Sequence, residues 1–150
     1  MSTPHNREQT QATRLAQLKQ AAAEGDLKAR FELGILNFRG AIEGAKPSFG
    51  LADIFNVAQS GYAEAQYYLG ALYDDGISIQ RDLRQARKWY QAAAEQGYAD
   101  AMRELAEMYK KGKGGKKDHR MSLYWQEEFL KAIADDPNYS DEEKGFFEYM

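Results

Sequence analysis

The chain has 150 residues, 43% of them apolar and 13% aromatic, which is enough for a continuous core and excludes disorder throughout. It contains no cysteine, so disulfides, thiolate metal sites and cysteine nucleophiles are removed together, and a reducing compartment such as the cytoplasm is expected. The net charge of −3 is unevenly spread: residues 1–134 hold 19 Lys/Arg against 17 Asp/Glu, and residues 135–150 one Lys against six acids. A dedicated nucleic-acid binder would show a strongly basic face, and this balance argues against one.

Residues 1–9 are polar where a signal peptide needs an apolar stretch, and they read as a flexible lead. No later run approaches the roughly 18 apolar residues of a membrane span, so a soluble protein with no membrane association is expected. From residue 10 to residue 134 the chain repeats itself. GDLKARFELGILNFRG from Gly25, GYAEAQYYLGALYDDG from Gly61 and GYADAMRELAEMYKKG from Gly97 superimpose at a spacing of 36 residues. The first two share six of sixteen positions and the last two share seven. A period of this size is the signature of stacked helix pairs.

Each period predicts two helices, A and B. Gly25, Gly61 and Gly97 follow apolar-periodic B segments at the position where glycine closes a helix in the left-handed conformation. Within A, Ala29/Leu33/Leu36, Ala65/Leu69/Leu72/Tyr73 and Ala101/Leu105/Met108/Tyr109 form one apolar stripe at spacings of three and four. Gly34 and Gly70 interrupt that stripe at a cost of about 1 kcal/mol relative to Ala, which points to a close helix crossing. Gly40, Gly76 and Gly112 end the A helices. The B helices follow as SFGLADIFNVAQS, LRQARKWYQAAAEQ and RMSLYWQEEFLKAI. One further period back, Thr10 to Glu24 falls at a B position, so seven helices are predicted.

AEAQYYLGALYDDG (Ala63–Gly76) and ARKWYQAAAEQG (Ala86–Gly97) resemble the Sel-one-like repeat family, a relative of the tetratricopeptide repeats, and weaker copies extend the resemblance over residues 10–134. The first B helix lacks the family's Trp-Tyr pair, and the third repeat has Ala106 in place of the central glycine. The resemblance implies an all-α, right-handed superhelical solenoid of antiparallel helix pairs, acting as a bacterial adaptor or scaffold with no cofactor and no chemistry of its own.

In solenoids of that kind the A-helix positions flanking the core stripe face a concave groove. Carried across by register, they are Lys28, Phe31, Ile35 and Phe38, then Glu64, Tyr67, Ala71 and Asp74, then Asp100, Arg103, Glu107 and Lys110. The series runs from apolar to charged, which suits a protein or peptide partner anchored by an apolar residue and oriented by polar ones. Phe31 and Tyr67 also match the family's ordinary packing aromatic. Trp89 and Trp125 stand one period apart and read as repeat core.

The loop KKGKGGKKDH (Lys110–His119) fails the Walker pattern, since Lys117 and Asp118 stand where Gly and Lys are required. Its glycines serve a turn and its cations a solvated surface. The alternative is an anion or nucleic-acid contact through Lys110, Lys111, Lys113, Lys116, Lys117 and Arg120. His5 and His119 form no metal or triad spacing, and the pairs Asp74/Asp75 and Asp135/Asp136 read as solvated helix ends, so no metal site and no enzyme activity are expected. A further functional alternative is an immunity-type inhibitor of a bacterial effector enzyme, marked by one tight stoichiometric partner. The acidic tail, residues 135–150, is broken by Pro137. It carries a capping-box pattern, SDEE from Ser140, ahead of Phe146, Phe147, Tyr149 and Met150, so it reads as a helix capping the repeats or as a docking motif.

Overall fold

Residues 3–145 are described by the computed structural model, and every regular element among them is a helix. In chain order these are α1 (Pro4–Ala23), α2 (Leu27–Phe38), α3 (Pro47–Gln59), α4 (Ala63–Asp75), α5 (Leu83–Glu95), α6 (Ala99–Lys111), α7 (His119–Ile133) and α8 (Asp141–Gly145). The first seven are the predicted B and A helices in alternation, so the chain is all-α and of the helix-pair solenoid class. Its stop glycines behave as their spacing requires, with Gly25 at φ 94° and Gly112 at φ 70°. Among the described residues no helix is long and apolar enough to cross a membrane.

The opening helix begins six residues ahead of Thr10. Pro4 occupies its first turn, where a fixed φ is already helical and no N–H is missed. The Thr3 carbonyl accepts from the amides of Asn6 and Arg7. Residues 4–9 are therefore helical, where composition alone suggests a flexible lead.

The chain divides into two compact units with the boundary after Ala65, inside α4. In unit 1, α1 packs on α2 and α2 on α3. The Asp26 carboxylate caps α2 by accepting from the Ala29 amide at 2.9 Å. The crossing of α2 and α3 rests on missing side chains. A Cβ on Gly50 would lie 2.5 Å from the Gly34 carbonyl oxygen and would strike the Phe38 amide, and one on Gly34 would lie 3.2 Å from the Gly50 carbonyl. The helices meet backbone to backbone. Ala29, Phe31, Ile54, Val57 and Ala58 are buried here, but no residue of α1 is. The expected core residues Leu33 and Leu36 are only half-buried.

In unit 2, α5 packs on α6 and α6 on α7. Here the pair closes through a side chain, because the Tyr90 ring lies over Gly70, 2.6 Å from where a Cβ would stand. Asp82 and Asp118 cap α5 and α7, accepting from the amides of Arg84 and Gln85 and of Met121 respectively. Leu69, Leu105, Met108, Phe129 and Ile133 are almost wholly buried, each such side chain contributing about 1.5–3 kcal/mol of transfer free energy. Trp125 is buried with them, and the indole nitrogens of both Trp89 and Trp125 are out of solvent. The period-related tryptophans are packing residues. Beyond α7 the capping box forms as its pattern predicts: the Ser140 amide donates to Glu143 Oε2 at 2.8 Å and the Glu143 amide donates to Ser140 Oγ at 3.2 Å. Phe146, Phe147, Tyr149 and Met150 lie outside the described residues.

Candidate partner-binding face

Helix α6 presents Asp100, Arg103, Glu104 and Glu107 at spacings of three and four, hence along one side of the helix. Asp100 accepts hydrogen bonds from Arg103 and from the Tyr139 hydroxyl, both at 3.2 Å. The Arg103 guanidinium stands 5.9 Å from the centre of the Phe129 ring, and Tyr139 meets the same ring edge-on at 6.0 Å. The segment after α7 thus folds back to hold the start of this row. Glu107 is paired with Lys111 at 2.6 Å, and that hydrogen bond holds its carboxyl below the usual range.

Glu104 differs from its neighbours. It is half-buried, and loss of solvent pushes its carboxyl above the usual range, with Asp74 and Asp100 adding to the rise and Arg103 and Lys113 opposing it. No hydrogen bond or ion pair compensates it among the described residues.

Helix α4 supplies Tyr67 and Asp74 to the same side. The Tyr67 ring lies between Tyr90 and Tyr98, with centroids at 5.7 and 5.1 Å. Burial raises its hydroxyl pKa first, and Asp100 and Glu104 raise it further. Asp74 receives Lys113 Nζ at 3.2 Å. Of the groove residues expected from sequence, unit 2 therefore brings together Tyr67, Asp74, Asp100, Arg103 and Glu107. Glu104 and Tyr139 belong with them and were not expected. Tyr139 reaches Asp100 across 39 residues of sequence, which no local pattern encodes.

Unit 1 carries its own A-helix residues. Phe31 must be removed from the binding set: it is 2% exposed and its ring packs 5.6 Å from Tyr62, so a partner does not reach it. Ile35 and Phe38 are half-buried, and Lys28 is exposed beside Glu32. Glu64 accepts from the Tyr62 hydroxyl at 3.0 Å. Burial and this bond push Tyr62 up to about 12. The most exposed large apolar residues stand elsewhere, at Phe49, Ile77, Leu123 and Tyr124.

The basic loop is an anchored turn. Arg87 of α5 reaches into it, donating from Nε to the Lys113 carbonyl at 2.8 Å, from Nη1 to Lys116 at 3.1 Å and from Nη2 to Met108 at 3.0 Å. Its guanidinium also lies 4.4 Å above the Tyr109 ring. A Cβ on Gly114 would collide with the Leu83 carbonyl, so only glycine lets the loop approach α5 so closely. The amides of Lys113 and Asp118 already donate to Met108 and Tyr109, which leaves less of the loop backbone to cradle an anion. Lys110, Lys111, Lys116, Lys117 and Arg120 are exposed, whereas Lys113 is held against Asp74. Among the described residues no group of three His, Cys, Asp or Glu is arranged to hold a metal ion.

This architecture of paired helices at a fixed period is that of a helical repeat protein. The Sel1 repeat model matches residues 63–98 and 99–127, so the chain carries Sel1 repeats and takes its place with the Sel1-like repeat proteins. It is similar to the crystal structure of a Sel1 repeat protein from Oxalobacter formigenes, with 28% identity and a TM-score of 0.77 over 91% of this chain and 98% of that one. It is also similar to c5321, described as a protective antigen of uropathogenic Escherichia coli with this fold. There the identity is 35% and the TM-score 0.71 over 78% of this chain, which covers 25% of that protein. Helicobacter pylori cysteine rich protein B shares the fold, with a TM-score of 0.60 at 18% identity over 81% of this chain and 92% of that one. No curated protein sequence matches the chain. Sel1 repeats are in general protein-interaction modules and in general non-enzymatic.

Proposed function

We propose that the chain is a non-enzymatic adaptor or regulator in a bacterial cytoplasm, binding a polypeptide partner on its A-helix faces. In unit 2 the contact residues are Tyr67, Asp74, Asp100, Arg103, Glu104 and Glu107, and in unit 1 they are Lys28, Ile35, Phe38 and Glu64. The observation that carries this reading is the row on α6. Three of its charges are already oriented by internal partners, and the fourth, Glu104, is half-buried with none. A carboxylate in that position has lost part of its hydration with no hydrogen bond or close ion pair in return, and Arg103 and Lys113 offset the loss only in part. A lysine or arginine of a partner would supply the missing charge, and the neighbouring groups would fix its direction at little ordering cost. The bacterial relatives and the cysteine-free composition support the location.

Affinity capture from bacterial lysate tests this with two variants, Glu104→Lys in unit 2 and Ile35→Ala/Phe38→Ala in unit 1, each confirmed folded by circular dichroism. A protein retained by the parent chain is expected to be lost with Glu104→Lys and weakened with the unit 1 variant. Equal capture by all three chains defeats the A-helix reading.

A further inference from the structure

A second surface, on unit 1, is distinct from the A-helix face. A groove of about 1000 Å³ runs between α1, the end of α2 and the loop that follows it. Its floor is apolar, formed by Leu15 and Leu18 of α1, Leu36 of α2 and Ile42 of the loop. Three carboxylates line it, Glu8, Glu32 and Glu43, against one cation, Arg14. Among the described residues these acids form one ion pair, Lys28 with Glu32 at 4.0 Å, between side chains 70% and 49% exposed, which is a weak neutraliser.

The repeat shows why this space is open. Two periods later the position of Leu15 is Arg87, that of Leu36 is Met108 and that of Ala41 is Lys113. In unit 2 the guanidinium of Arg87 fills the corresponding place, donating to the carbonyls of Met108 and Lys113. There Met108 is 1% exposed. The turn chemistry is the same in both units: the Ala41 amide donates to the Leu36 carbonyl and the Lys113 amide to the Met108 carbonyl, both at 2.9 Å. Unit 1 has no arginine at this position, so the Leu36 carbonyl lacks the side-chain donor that Met108 receives. That carbonyl also stands at the negative end of a helix, where a cation is favoured.

We infer that the groove between α1 and α2 is a docking site for an amphipathic helix of another protein, with apolar residues on the Leu15/Leu18/Leu36 floor and an arginine in the place that Arg87 holds in unit 2. The acids at the rim supply charge complementarity for further basic residues on the same helix.

The probe is a fluorescein-labelled synthetic helix of about four turns, with leucines at i, i+3 and i+7 and flanking arginines, compared with a copy whose arginines are glutamates. Anisotropy is expected to show binding of the arginine peptide that weakens with salt, and binding of the glutamate copy weaker by about tenfold or more. Leu15→Arg gives unit 1 its own internal plug, and should reduce affinity for the arginine peptide about tenfold while leaving the circular dichroism unchanged. Glu8→Gln/Glu32→Gln/Glu43→Gln keeps the floor and should cost about threefold or more at low salt, which holds the inference to account if Leu15→Arg does not fold. Equal binding of the two peptides overturns the inference, as does a folded Leu15→Arg chain that binds like the parent. Sedimentation in which the parent self-associates and Leu15→Arg does not would assign the groove to a second copy and overturn it as well.

Discussion

Units 1 and 2 solve one packing problem in two ways. In unit 1 the A and B helices are drawn together by Gly34 and Gly50 until backbone meets backbone, and the neighbouring α1 is left with no buried residue. In unit 2 side chains fill the same register: Tyr90 covers Gly70, and Arg87 ties the loop to α5. A repeat fixes where space must be filled, and the residue chosen for that position decides whether the result is core or an open groove.

The largest effect should come from making unit 2 resemble unit 1. Arg87→Leu removes three charge-assisted hydrogen bonds to carbonyls and a ring contact. A loss of about 3 kcal/mol is expected, read as a lower urea midpoint at constant slope, with earlier proteolysis at Lys113 and Lys116. Gly50→Ala comes next, because its Cβ meets backbone on the facing helix and cannot be relieved by a rotamer. Overpacking there should cost about 2 kcal/mol in spite of the better helix propensity of alanine.

Gly70→Ala is expected to cost about 1 kcal/mol, since its obstacle is the Tyr90 ring, which can move only as far as a packed neighbourhood permits. At Gly34 the contacts begin at 3.2 Å, so gain and cost nearly cancel and the alanine variant should melt within a few degrees of the parent. The smallest effect is a change with pH. Burial raises the Glu104 pKa in the folded state, so the folded chain binds more protons than the unfolded chain between the ordinary glutamate value and the raised one. Stability contributed by this group therefore falls as pH rises through that window. Glu104→Gln should raise the melting temperature at pH 7 and give no such gain at pH 4.

Much of this was legible in the sequence. The glycine stops, the helix alternation and the close crossing at Gly34 followed from a 36-residue period, because each is a local requirement repeated in register. What escaped were departures from that period. Arg87 stands where earlier repeats have Leu15 and Leu51, so a search for recurrence passes over it, although it anchors the basic loop. The helical caps Asp82 and Asp118 do recur at the period, but the loop before α7 was read for its glycines and cations and not for the carboxylate that ends it. Phe31 shows the limit of carrying a face over by register, since its flank of α2 is buried against Tyr62. The Tyr139 contact with Asp100 depends on where the chain returns after α7 and has no sequence signature.

Site-specific cross-linking can show whether a partner protein meets the charged row of α6. A photoreactive phenylalanine derivative placed at Arg103, on the exposed row of α6, is compared in living cells with the same group at Lys88, an exposed position of the B helix α5. A discrete protein adduct is expected from position 103, lost when Glu104→Lys is added, and none from position 88. Adducts from position 88 alone, or adducts from position 103 that survive Glu104→Lys, would contradict the A-helix reading.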